Sequence, residues 1–109
     1  MPRAVFVVFT NPASPDQEDQ YNEFYDNTHV PEVCQTPGFV SGRRYRISDA
    51  RKPVGAVGDY GYLAIYEIET DDLAATFEAL NAAGPTMTPF TLVGREGSYG
   101  VFAERVPGT

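Results

Sequence analysis

The order of elements along this 109-residue chain predicts an α+β fold of the βαββαβ type, the ferredoxin-like arrangement of a four-stranded antiparallel sheet with both helices on one face. Three observations predict it. Ala4 to Phe9 is apolar at every position, and Tyr62 to Ile68 is nearly continuous in large residues, so two strands read as buried on both faces. Two stretches with helical spacing, one after each of these strands, are closed by proline or glycine signals. Two helices cover only one side of a sheet, and an apolar face left bare would far exceed the roughly few hundred Å² that a soluble monomer shows. A homodimer packed sheet to sheet is therefore expected.

After the first strand, Thr10 to Ser14 with Asn11-Pro12 reads as a turn. Ser14 is placed to cap a helix, with Pro15 at its first position and Gln17 spaced to bond back to the cap. Within this helix Tyr21, Phe24, Tyr25, Thr28 and His29 recur at i, i+3, i+4, i+7 and i+8 and form one inward stripe. Pro31 disfavours helical geometry at Val30, which predicts a regular helix ending at about His29. The imidazole then sits in a last turn, where the carbonyl end of the helix favours its protonated form. Pro37-Gly38 reads as the centre of a type II turn.

The second strand is Phe39 to Ser48, with Phe39, Ser41, Arg43, Tyr45 and Ile47 on one face and Val40, Gly42, Arg44 and Arg46 on the other. Asp49 to Gly61, with Lys52-Pro53 and three glycines, is a loop expected to be mobile and to gate or border a pocket. Tyr62 to Ile68 is the third strand. Thr70-Asp71-Asp72 caps a second helix, with the Thr70 hydroxyl at the N-cap and two acids in the first turn. Leu73, Phe77 and Leu80 are its apolar stripe, and Gly84-Pro85 stops it. Pro89 to Val106 carries one or two strands, of which Tyr99 to Arg105 is the better.

Residues 1–109 read as a single domain. A net charge of −7 argues against nucleic acid and anionic membrane as partners, since both need a basic patch to meet phosphate. One cysteine, Cys34, makes no internal disulfide, so a reducing cytoplasm is the expected location. Ala4 to Phe9 is too short for a signal segment or a membrane span.

The order of elements, the helix carrying Tyr25-Asp26-Asn27-Thr28-His29-Val30-Pro31-Glu32, and the Pro37-Gly38-Phe39 and Arg44-Tyr45 that follow resemble the dimeric α+β barrel superfamily, and within it the EthD-like proteins. The resemblance covers essentially the whole chain. Its members include polyketide cyclases, muconolactone isomerases, cofactor-free monooxygenases and haem-degrading enzymes. It implies a pocket between the sheet and its own two helices, with a histidine at the position of His29 facing it.

His29, the sole histidine, is the leading candidate for a general acid or base, with Tyr25 one helical turn before it. The alternative is a histidine that bonds helix carbonyls and packs structurally. Tyr21, Tyr45, Tyr62 and Tyr66 are candidates to hold a substrate through their hydroxyls and rings, or else belong to the core. Arg44 offers paired donors to an anionic or enolate oxygen; the competing reading is a rim salt bridge to Glu67 or Glu104. His29, Glu32 and Cys34 are too few donors for a metal site, and no phosphate loop or dinucleotide motif is present, so no metal and no cofactor are expected. Haem handling would need His29 as the axial ligand, the one imidazole on offer.

The expected function is a small cofactor-independent enzyme acting on a hydrophobic cyclic or aromatic substrate by proton transfer through His29, of isomerase, cyclase, lyase or monooxygenase type. The alternative is a non-catalytic ligand-binding or accessory protein using the same pocket.

Overall fold

Strands β1 (Arg3–Thr10), β2 (Phe39–Arg46), β3 (Tyr62–Glu69) and β4 (Tyr99–Glu104) form one antiparallel sheet in the order β2-β3-β1-β4. The structure, a computed structural model, describes residues 3–50, 60–89, 91–94 and 97–108. The two most apolar strands take the centre: β1 pairs with β3 along its whole length, Phe6 opposite Tyr66 and Val7 opposite Ile65, and with β4 on its other side. Residues 51–59, most of the connector in which a mobile gate was expected, lie outside the described residues.

One sheet face is buried. Ala4, Val8 and Thr10 of β1 and Ala64, Tyr66 and Ile68 of β3 point into it, and Tyr21, Tyr25 and Val33 of the first helix complete the core, with Leu73 and Leu80 of the second packed against it. The first helix starts at Pro15 as expected, with a 3-10 turn to Gln17 leading into α1 (Glu18–Phe24). Ser14 caps it through its carbonyl, which accepts the Gln17 N–H at 3.1 Å; its hydroxyl meets the Gln17 side chain and not a backbone group.

Pro31 does not end this helix. The chain widens into a π turn over Tyr25–His29, in which the Val30 N–H bonds the Tyr25 carbonyl, and resumes as α2 (Val30–Val33). In unbroken α geometry the Pro31 ring would press on the carbonyl four residues back; the wider turn relieves this and puts Pro31 in the first turn of α2, where its missing N–H is not needed. The buried stripe consequently runs Tyr21, Tyr25, Val33, with Val30 packed against it, and His29 moves to its flank.

The second helix, α3 (Leu73–Ala83), is capped two residues later than expected. Asp72 is the N-cap, its carboxylate accepting the Ala75 N–H at 3.0 Å, while the Thr70 hydroxyl bonds Thr76. Thr76 is the buried residue of this helix; Phe77 is 44% exposed and leans edge-on against Phe102. Gly84 closes it, followed by a 3-10 turn over Gly84–Thr86.

Strand β2 also departs from simple alternation. A register shift between Phe39 and Ser41 puts Phe39 on the same face as Gly42 and Arg44, since Phe39 packs on Phe6 and Tyr66 and Gly42 lies under the Tyr66 ring. Val40 is left 54% exposed.

The expected turn before β2 is present: Gly38 has φ +96°, and the Phe39 N–H bonds the Thr36 carbonyl at 3.1 Å. A Cβ at Gly38 would also fall 3.0 Å from the Thr76 hydroxyl oxygen. Gly38→Ala is therefore expected to cost about 1–3 kcal/mol through backbone strain and this contact. A urea midpoint equal to that of the parent would refute it.

The other sheet face carries Val5, Val7, Phe9, Leu63 and Ile65, half-buried, with Val101, Tyr45 and Tyr99 exposed. Neither helix covers it. Among the described residues the central strands are thus fully buried on one side only.

Candidate functional site

A cavity of about 400 Å³ lies between the buried sheet face and the helices. Phe6, Val8 and Tyr66 form its floor, His29 and Val33 the first-helix wall, and Leu80, Asn81, Gly84 and Met87 the opposite one. Asn81, Gly84 and Ser98 are exposed and mark its mouth.

His29 is half-buried, with its Nδ1 enclosed by protein. Its ring stands perpendicular to that of Tyr25, centroids 5.1 Å apart and planes at 84°, and roughly parallel to Phe24 at 6.2 Å. Burial pulls the imidazole below its ordinary value of 6.5, and the nearby Glu32 carboxylate opposes this in part. The protonated form expected from a helix terminus is not favoured, because α2 carries the helix past His29. Glu32 itself accepts hydrogen bonds from the Thr88 backbone N–H and hydroxyl, each at 3.0 Å, tying the first helix to the segment beyond α3.

The lowered value has a thermodynamic sign. The unfolded chain takes up a proton at His29 near pH 6.5, and the folded chain does so only at lower pH. Stability is thus expected to fall as the pH drops from about 6.5 through the folded value, where the unfolded state binds more protons. Thermal melts between pH 7.5 and 5 should show a slope that His29→Gln flattens; equal slopes would contradict the burial of this ring.

Tyr25 is 1% exposed, and burial raises its hydroxyl to about 12, with a hydrogen bond to Thr10 working the other way. Burial likewise drives the Tyr66 hydroxyl far above the phenol range, helped by Tyr25 and Cys34 nearby. Both stay protonated at neutral pH and can serve as donors, not as bases. The Tyr66 hydroxyl is buried and makes no hydrogen bond among the described residues. Its ring is held between Phe6 (5.8 Å, 25°) and Phe39 (5.8 Å, 70°) and pressed on Gly42, where a Cβ would stand 2.8 Å from the ring and 2.9 Å from Val30. Only glycine lets the first helix and Tyr66 come this close to β2.

Tyr21, Tyr62 and Arg44 form a second cluster beside the cavity. Tyr21 is fully buried and hydrogen-bonds Thr10; the Tyr62 hydroxyl donates to the Glu18 carboxylate and accepts from Asn22 at 3.4 Å. The Arg44 side chain, 10% exposed, donates to Asp26 and to Asn22, each at 3.0 Å. Its guanidinium lies 4.4 Å from the Tyr25 ring centre, 5.1 Å from that of Tyr62 and 5.2 Å from that of Tyr21. The rim pairs considered for Arg44 do not form, because its face of β2 looks to the helix; Glu67, on the other face, accepts from Ser41. Tyr45, 49% exposed, sits on the outer sheet face.

Of the residues singled out by sequence, His29 and Tyr66 line the cavity, Tyr25 stands directly behind His29, Tyr21, Tyr62 and Arg44 form the adjoining cluster, and Tyr45 lies apart. Asn81, Met87 and Ser98 went unmarked. Asn81 had a signal: it stands eight residues after Leu73, on the edge of the same helical stripe. Among the described residues no three His, Cys, Asp or Glu side chains converge as a metal site would require, and no helix is long and apolar enough to cross a membrane.

No protein-family model and no curated protein matches the chain. Solved structures do. A dimeric ferredoxin-like protein of unknown function from Jannaschia sp. CCS1 is 15% identical with a TM-score of 0.58, over 94% of this chain and 99% of its own. SnoaB, a cofactor-independent oxygenase from Streptomyces nogalater, is 17% identical with a TM-score of 0.58, over 99% and 95%. The heme-degrader MhuD from Mycobacterium tuberculosis, solved with two hemes in its active site, is 16% identical with a TM-score of 0.63, over 97% and 98%. At such identities the likeness is one of fold, and the fold of this chain is ferredoxin-like.

Proposed function

We propose that this chain is a homodimeric, cofactor-independent enzyme that acts on a hydrophobic cyclic or aromatic small molecule by proton transfer at His29. The observation that carries this is the placing of the sole histidine in the wall of a 400 Å³ cavity whose other walls are mostly apolar and aromatic. An imidazole kept neutral near pH 7 is ready to accept a proton. With Nδ1 enclosed, Nε2 is the atom assigned to the transfer. Tyr66, whose hydroxyl is as enclosed as Nδ1, is assigned through its ring to the floor on which the substrate rests, and Tyr25 to holding the imidazole. Isomerisation, cyclisation, lyase cleavage and oxygen insertion all fit a single base in an apolar pocket. Support for a chemistry without a cofactor comes from SnoaB, which shares the fold and is a cofactor-independent oxygenase.

Dimerisation is supported by the uncovered apolar sheet face and by the dimeric state of the Jannaschia protein. A panel of hydroxylated aromatic and polyketide-like compounds tested by thermal shift examines the pocket directly. A compound at about 100 times its Kd should add about 2.7 kcal/mol, on the order of 10 °C. If no member of the panel raises the melting temperature, the substrate class is wrong.

A further inference from the structure

Tyr25 belongs to both clusters. Arg44 lies over its ring at 4.4 Å, and His29 stands perpendicular to the same ring at 5.1 Å. We infer that Arg44 is a positioning residue for His29, acting through the Tyr25 ring, and not a ligand for a substrate oxygen. This rests on the reading of His29 as the working group, and it gives that group a support from the sheet.

Tyr25 and His29 are the first and last residues of the π turn. A π turn breaks the i→i−4 pattern of the helix on either side, so contacts from outside the helix bear on the stance of both rings. Arg44 is built to do this. Its two donor nitrogens bond Asn22 and Asp26, which bracket Tyr25 in the chain, so the guanidinium is clamped across the start of that turn. Its face is spent on three tyrosine rings and its side chain is nine-tenths shielded, leaving little of the fork for a ligand. Arg44 is also absent from the cavity wall. Lysine, a point charge without a planar fork, could not bond both partners while stacking on the ring.

His29 is the only histidine, so its ring signals in a proton–carbon NMR spectrum are unambiguous. Among the described residues, ionisable groups near it include Glu32 and Tyr25 on its own helix and Tyr66 across the cavity, and Arg44 meets it through Tyr25. In Arg44→Lys and Arg44→Met the freed Tyr25 ring should admit water to an imidazole that burial holds low. The titration midpoint should rise by about 0.5 pH unit, with a displaced Hε1 signal. Asp26→Asn, at an exposed carboxylate, removes one arm of the clamp, and should move both readings in the same direction by less even if the Arg44 variants fold poorly. A lowered melting temperature with an unmoved midpoint and Hε1 signal in these variants would overturn the inference and leave Arg44 a purely structural cation. These readings are made on the free protein, so they stand whether or not His29 proves to be needed for turnover.

Discussion

Lysine in place of Val7 is expected to take the protein from dimer to monomer mass in light scattering at micromolar concentration. Val7 lies mid-sheet, opposite Ile65 on one side and Val101 on the other, on the face that neither helix covers. In a two-fold dimer each substitution is met twice, so two ammonium groups would be taken out of water against apolar strands. At roughly 3 kcal/mol for each unpaired buried charge, this amounts to about 6 kcal/mol, or on the order of 10⁴ in the dissociation constant. The chain itself should still fold, since in the monomer the lysine is free to reach water. A Val7→Lys protein that keeps its dimer mass would place the partner elsewhere.

The second large effect is on turnover. With a substrate from the ligand panel, His29→Asn should lower kcat by about 10² to 10⁴ while leaving KM within a few-fold. Asparagine keeps a polar group of similar reach and cannot accept a proton at neutral pH. If the proposed reading holds, kcat/KM of the parent protein should fall on the acid side as the free imidazole protonates, with a midpoint below 6.5. A kcat within threefold of the parent would remove proton transfer at His29 and favour a protein that holds its ligand without changing it.

Local signals carried much of the fold. The unbroken apolar runs marked β1 and β3, Pro37-Gly38 marked the turn whose φ is +96°, and Gly84-Pro85 marked the end of α3. What escaped depends on how elements meet. Pro31 looked like a stop because a rule built on 3.6 residues per turn has no place for a π turn, in which the Val30 N–H reaches back five residues to the Tyr25 carbonyl. On β2 the faces of Ser41 to Arg46 alternate as expected, and Phe39 alone falls on the other side, because one irregularity at Phe39 to Ser41 shifts it. His29 and Tyr66 were legible as a lone imidazole on an inward stripe and a tyrosine on a central strand. The cavity between them was not, since a gap between packed elements leaves no trace in any one of them. Arg44 shows the same limit: its residue type announced paired donors, but only the packed helix decided that Asn22 and Asp26 would take them.

The sheet is one layer thick, and its two sides have been given over to different tasks. Even-numbered positions of β1 and β3 look toward the helices and the cavity, and odd-numbered ones look away, toward the surface assigned to a second copy. Each barrel half would therefore own a complete site, walled off from its twin by two sheets, with no side chain of one copy needed in the pocket of the other. Neighbouring positions such as Phe6 and Val7 then answer to separate demands: the pocket can change with what it must hold while the seam between copies stays as it is.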